Sequence, residues 1–220
     1  VTRERRSHLL LFATGNPHKI EEVAAILQPL GNDIIGLDAL DKIPPEPIED
    51  GETFEANARL KAIAYARDTA MVCLADDSGL EVDALAGAPG IHSARFARDE
   101  IGRDAFDRMP RAQRDQANND KLLHLLRNVP PEQRTARFVC AMCLAAPDGE
   151  ILAETRGEFP GVIADQPRGS NGFGYDPLLH LPDRGLTSAE LSPDEKNARS
   201  HRGAAARAMA QRLRDIEFAR

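Results

Sequence analysis

Two adjacent carboxylates, Asp76 and Asp77, follow the apolar run Met71-Val72-Cys73-Leu74-Ala75 and precede Ser78 and Gly79. The run reads as a buried strand that ends at the acids, and in open α/β sheets ligands bind beyond the carboxyl ends of the strands. Neighbouring side chains on an extended chain point to opposite sides. One acid can therefore meet a metal while the other orients a different group. Asp, Asp, Ser and Gly are also turn formers, so a solvated turn explains this stretch equally well when it is taken alone.

Other stretches carry chemistry of a related kind. Thr14-Gly15-Asn16-Pro17-His18-Lys19 lies between the apolar residues Leu9 to Ala13 and a helical pattern at Ile20, Val23, Ala24 and Leu27. Asn16 suits an N-cap and Pro17 a first helical position. A strand, a Gly turn and a helix start place free backbone N–H groups, the positive end of the helix dipole and Lys19 together, which suits phosphate. An ordinary strand-to-helix connection is the competing reading. Glu49, Asp50 and Gly51 end a Pro-rich loop. Thr53 then caps a helix on which Asn57 and Lys61 share a face.

Ser170 to Pro177 contains Gly172-Phe173-Gly174-Tyr175-Asp176, in which glycines let the backbone approach a ligand and an aromatic face can stack on a base. Ser192 to Glu195 has a capping-box pattern, with Lys196 next. Ser200-His201-Arg202-Gly203 opens a last helix with an apolar stripe at Ala205, Met209, Leu213 and Ile216.

The elements that must position these groups alternate between strand and helix patterns, which predicts an α/β fold. Arg137 to Ala146 and Ile151 to Phe159, joined at Pro147-Asp148-Gly149, read as a hairpin. Residues 98–116 are rich in Arg and Asp and poor in apolar side chains, and are expected to form an exposed insertion. Leu122 to Leu126 begin an amphipathic helix that Pro130 and Pro131 terminate. Residues 1–7 are polar and are expected to form a flexible tail, leaving 8–220 as one large domain or two small lobes.

A chain of 220 residues, 42% hydrophobic and 29% charged, is long enough to bury its own core. Its net charge of −7 argues against a nucleic-acid polymer or an anionic membrane as partner. No apolar run is long enough to span a bilayer, and the short run after Arg3, Arg5 and Arg6 is too brief for a secretory signal, so a cytoplasmic location is expected. Cys140 and Cys143 spell C-x-x-C within a strand pattern, where residues three apart face opposite sides. They read, with Cys73, as buried structural thiols.

Taken in order, these stretches resemble the inosine triphosphate pyrophosphatase family, whose members hydrolyse non-standard purine nucleoside triphosphates. Thr14 to Lys19 fits its T/S-G-N-x-x-K opening. Glu49-Asp-Gly-Glu-Thr-Phe54 with Asn57, Ala58 and Lys61 fits the next motif. Ala75-Asp-Asp-Ser-Gly79 with Gly87 to Gly90 and Ser93 to Arg95 follows. Gly172 to Pro177, and Glu195-Lys196 with Ser200 to Gly203, complete the set.

The resemblance implies an elongated mixed β-sheet with flanking helices and two lobes around a nucleotide-binding cleft, commonly in a homodimer. It implies Mg²⁺-dependent hydrolysis of ITP, dITP or XTP to the monophosphate and pyrophosphate. Asp77 is then the proton acceptor and, with Glu49, a metal ligand, while Asp76 supports it. Thr14, Gly15, Asn16, Pro17, His18, Lys19 and Lys61 hold phosphates, and Ser78 touches substrate. Phe173, Gly174, Tyr175, Asp176, Lys196, His201 and Arg202 form the base and sugar side. Ile48 stands where the family pattern has an acid, which implies a leaner metal site. Two rivals remain at this level: an aspartyl phosphatase, whose D-x-D spacing is absent here, and a non-catalytic nucleotide-binding protein of the same fold.

Overall fold

The computed structural model describes residues 8–216, so the tail expected over 1–7 lies outside the described residues. β1 (His8–Phe12) pairs in parallel with β2 (Asn32–Gly36) and with β3 (Cys73–Val82). The register sets Leu11 opposite Cys73 and Phe12 opposite Leu74. Two residues further along the two strands come Thr14 and Asp76, so the strand-to-helix turn and the acids emerge at one level. α1 (Pro17–Leu27) begins as its sequence dictates: Asn16 Oδ1 accepts from the His18 N–H at 3.2 Å, and Pro17 takes the first position, where a missing N–H costs nothing.

α2 (Phe54–Thr69) is capped by Thr53, whose hydroxyl oxygen accepts from the Ala56 N–H at 3.1 Å. α3 (Arg98–Ile101), α4 (Arg103–Asp107) and α5 (Arg111–Leu126) follow β3. β4 (Thr135–Ala145) and β5 (Ile151–Ile163) form the expected hairpin. β6 (Leu179–Leu181) and β7 (Leu186–Thr187) pair antiparallel. α6 (Pro193–Arg199) and α7 (His201–Leu213) close the described chain. The mixed sheet has seven strands in the order β2-β1-β3-β4-β5-β6-β7.

Two compact units emerge. One comprises the described chain up to Asp77, Cys140–Gly157 and the described chain from Ser200 on; the other comprises Ser78–Val139 and Glu158–Arg199. The first has its own core, in which the α7 stripe Ala205, Met209 and Leu213 packs with Leu10, Phe12, Val23, Leu27, Leu74 and Met142. The second is built on Leu80, Val82, Leu122, Leu126, Phe138, Phe159 and Leu179. Fully burying one such side chain contributes about 1.5–3 kcal/mol relative to leaving it exposed.

Three local expectations change. The strand carrying Asp76 and Asp77 does not end there but runs on to Val82, because Leu80 and Val82 have a core to enter. Ala88 to Arg95, which from its Ala-Pro-Gly start reads in sequence as a loop, forms a 3-10 helix over Gly90–Arg95. Residues 98–116 are exposed over most of their length yet helical, anchored by Phe106 at 1% exposure, and α5 starts well before the leucines that announce it.

Candidate functional site

Asp76 is the most enclosed acid among the described residues of the first unit, 1% exposed. Lys19 Nζ lies 3.0 and 2.9 Å from its two carboxylate oxygens. Arg202 Nε approaches Oδ2 at 3.4 Å, and the Cys140 thiol points to the same oxygen at 3.8 Å. Burial alone would raise the pKa of Asp76. Lys19, Arg202 and Lys61 override it and hold the carboxyl far below the usual carboxylate range. Lys19 is shifted down from its ordinary value chiefly by burial; Asp76 opposes the shift, and the positive charges of Arg202 and Lys61 add to it. The two shifts are compatible: the acid faces several cations, whereas Lys19 faces one anion among other cations.

Asp77 faces a different set of partners. Asn57 Nδ2 donates to its Oδ2 at 3.0 Å, and Lys61 Nζ lies 3.8 Å from Oδ1. Lys61 also reaches Glu49 Oε1 at 3.4 Å. Burial raises the pKa of Asp77, Lys61 and Asn57 oppose it, and Glu49 adds to the rise. The two consecutive carboxylates are pushed in opposite directions, Asp76 toward its charged form and Asp77 toward its protonated form. Asn57 is itself aligned by the backbone: the Gly51 N–H donates to its Oδ1 at 2.9 Å, and a Cβ at Gly51 would stand 2.7 Å from that oxygen.

Lys61 overturns the usual expectation of a solvated lysine on a helix face, since it is 9% exposed and its burial is matched by acids. Its ammonium sits between Glu49 and Asp77, marking a place where the fold concentrates negative charge. Those two acids supply hard oxygen donors of the kind Mg²⁺ takes, with waters and substrate phosphates filling the remaining positions. Among the described residues no group of three or more His, Cys, Asp or Glu converges as a metal cage. Ile48 is 81% exposed and adds no oxygen there.

The phosphate-suited turn is also ordered by its own residues. The Asn16 N–H donates to Thr14 Oγ1 at 3.2 Å, while His18 is exposed beside Glu21. Gly15 and Pro17 shape the turn without side-chain hydrogen bonds. Ser78 follows Asp77 within β3 and is partly buried.

Arg202, placed on the base and sugar side by sequence reading, is held here by Asp76 and by Glu22, whose Oε2 accepts from Nη1 at 2.6 Å. It is 1% exposed. His201, its neighbour at the start of α7, is buried as well. Sequence reasoning missed Glu22, although it lies one helical turn from Lys19 and so shares its face. It also missed Cys140 as a neighbour of Asp76.

The second unit gathers the other predicted residues. Asp176, 3% exposed, accepts from Lys196 Nζ at 2.6 Å, the Phe173 N–H at 2.8 Å and Ser188 Oγ at 2.8 Å. Gly172 has φ +79°, and a Cβ there would collide with Asp176 and Lys196. The buried Tyr175 hydroxyl donates to the Ser93 carbonyl at 2.9 Å, and Lys196 Nζ lies 5.1 Å from the centroid of the Phe173 ring. Lys196 follows Glu195, which closes the predicted capping box by accepting from the Ser192 N–H at 3.1 Å.

Carboxylate oxygens beside buried lysines on this α/β sheet suit a phosphorylated substrate, and curated relatives over nine-tenths of the chain make it a hydrolase of phosphoanhydride bonds. The particular family follows from sequence: the chain belongs to the Ham1 family, whose sequence model matches residues 10–212. A relative from Nitratidesulfovibrio vulgaris named dITP/XTP pyrophosphatase is 51% identical over 199 residues, 90% of this chain and 92% of the relative. One from an Exiguobacterium species, with the same name, is 50% identical over 199 residues, 90% of this chain and 93% of the relative. A solved structure of a HAM1 protein from Coxiella burnetii has a TM-score of 0.81 at 35% identity, covering 95% of this chain and 100% of that one. The motif resemblance and these matches point to one family.

Proposed function

We propose that the protein hydrolyses non-standard purine nucleoside triphosphates, ITP, dITP and XTP, to the monophosphate and pyrophosphate. The observation that carries this reading is the split of two consecutive acids, Asp76 toward Lys19 and Arg202, and Asp77 toward Asn57, Lys61 and Glu49. The names of the relatives supply the substrate class.

In this reading Asp77 takes the proton of the attacking water, a role that requires a carboxylate oriented by its neighbours. Asn57 fixes one of its oxygens. Glu49 and Asp77 are the residues to hold Mg²⁺, which when bound polarises phosphoryl oxygens and offsets charge developing at phosphorus. Lys61 and Lys19 contribute fixed positive charge to the phosphates, and the turn from Thr14 to Lys19 offers backbone N–H groups. Asp76 keeps Lys19 and Arg202 in place. Ser78 contacts substrate. Phe173 offers a face for the purine, while Gly174, Tyr175, Asp176, Lys196, His201 and Arg202 hold the base and sugar. A cytoplasmic location beside the nucleotide pool and a homodimer belong to the same reading. Among the described residues no helix is long and apolar enough to cross a membrane.

Phosphorus NMR of ITP incubated with protein and Mg²⁺ tests the reaction. Pyrophosphate and IMP are expected, and removal of the metal with a chelator stops their formation. Orthophosphate with IDP would replace this reading by a phosphatase.

A further inference from the structure

The loop that carries Phe173 is gripped by one face of α5. Arg111, Asp115 and Asn119 succeed one another at four-residue spacing and so share a stripe of the helix. Each meets the loop at a different point. Asn119 Nδ2 donates to the Gly174 carbonyl at 3.1 Å, and the Gly174 N–H donates to Asp115 Oδ2 at 3.1 Å. The Arg111 guanidinium lies over the Phe173 ring, 4.5 Å from its centroid.

The placement of Arg111 runs against helix electrostatics. It is the first residue of α5, whose first turn holds no acid, so a cation sits at the positive end of the dipole. A residue that breaks a local rule is expected where function outweighs the loss. Its freedom differs from that of its stripe partners: Asn119 is 6% exposed, whereas the Arg111 side chain is 44% exposed, holds Asp115 Oδ2 only by a long ion pair at 3.8 Å, and can lift without disturbing the core. Lys196, the other cation near the ring, is buried on Asp176 and lacks that freedom.

We propose that Arg111 is a substrate-binding residue that closes over the purine stacked on Phe173, while Asp115 and Asn119 fix the loop beneath. The inference rests on the reading of Phe173 as the stacking side chain. A guanidinium already touching the ring leaves no room for a base between them, so Arg111 lifts and settles on the outer face of the purine. Its planar, weakly hydrated group suits an aromatic face in either position.

Calorimetric binding of IMP and of ribose 5-phosphate to the wild-type protein, Arg111→Ala, Arg111→Lys and Phe173→Ala tests this. Arg111→Ala is expected to weaken IMP by about five- to ten-fold, the difference between a desolvated cation–π contact on the purine and the exposed one it replaces on Phe173. Ribose 5-phosphate binding stays unchanged, and Arg111→Lys recovers part of the loss. Equal IMP affinity in Arg111→Ala and wild type overturns the proposal. So does an equal loss for both ligands, which would make Arg111 a general attractor of anions. If Phe173→Ala loses the preference for IMP while Arg111→Ala keeps it, the stacking reading stands and the role of Arg111 falls. If Phe173→Ala keeps the preference, the stacking reading fails and the inference falls with it.

Discussion

Asp76 and Asp77 share a peptide bond yet serve separate sets of partners: Lys19 and Arg202 bind the first, Asn57 and Lys61 the second. The alternation of side chains along β3 produces the split, and the burial of Asp76 and partial burial of Asp77 make it matter. Substituting one acid and then the other therefore has different consequences.

Asp77→Asn removes a proton acceptor and a metal ligand while keeping the shape and one hydrogen-bonding oxygen. A fall in kcat for ITP of about 10²-fold or more is expected, the low end of what general-base catalysis supplies. The thermal midpoint should stay near wild type. A variant with half the original kcat at saturating Mg²⁺ would assign Asp77 to structure alone.

Asp76→Asn instead leaves Lys19 and the buried Arg202 without their shared anion. Breaking a buried charge pair on one side costs about 3–5 kcal/mol. Denaturant unfolding should show that loss, and a wild-type midpoint would contradict the central place given to Asp76.

Arg202→Lys keeps a cation beside Asp76 but loses the planar fork. The 6-keto group of inosine accepts hydrogen bonds where adenosine presents an amino donor, so a fixed guanidinium favours ITP. The ratio of kcat/KM for ITP over ATP is expected to narrow by about tenfold, or ~1.4 kcal/mol. Equal losses on both substrates would restrict Arg202 to holding Asp76 and Glu22.

Tyr175→Phe deletes the hydroxyl that donates to the Ser93 carbonyl at 2.9 Å within the second unit. One buried acceptor is left without that donor, which should lower stability by about 1–2 kcal/mol. Chemical denaturation reads this directly, and an unchanged free energy would show that the bond contributes nothing.

Cys73, Cys140 and Cys143 are all buried, and burial pushes their thiols up to about 12. The native protein should therefore leave an aromatic disulfide reagent unreacted at pH 8, with every thiol titrating after denaturation. Rapid reaction of one thiol in the folded protein would refute the structural assignment of the C-x-x-C pair.

The features the sequence determined by itself are those whose causes lie within a few residues. Asn16 and Pro17 start α1, Thr53 starts α2, Ser192 with Glu195 starts α6 and Ser200 starts α7, because a cap and the N–H it satisfies are at most three residues apart. The period of the α7 stripe likewise announced which face enters the core. The linear order of the motifs pointed to the family. What only the tertiary structure decided are partnerships across long separations: Lys19 with Asp76 over 57 residues and Arg202 with Asp76 over 126. The same holds for the grip of Asp115 on Gly174 over 59 residues. No local propensity encodes which cation an acid will meet. That choice follows from the parallel setting of β1 beside β3 and from the burial that makes an unmatched charge costly, so Lys61 and Arg202 are drawn inward rather than solvated.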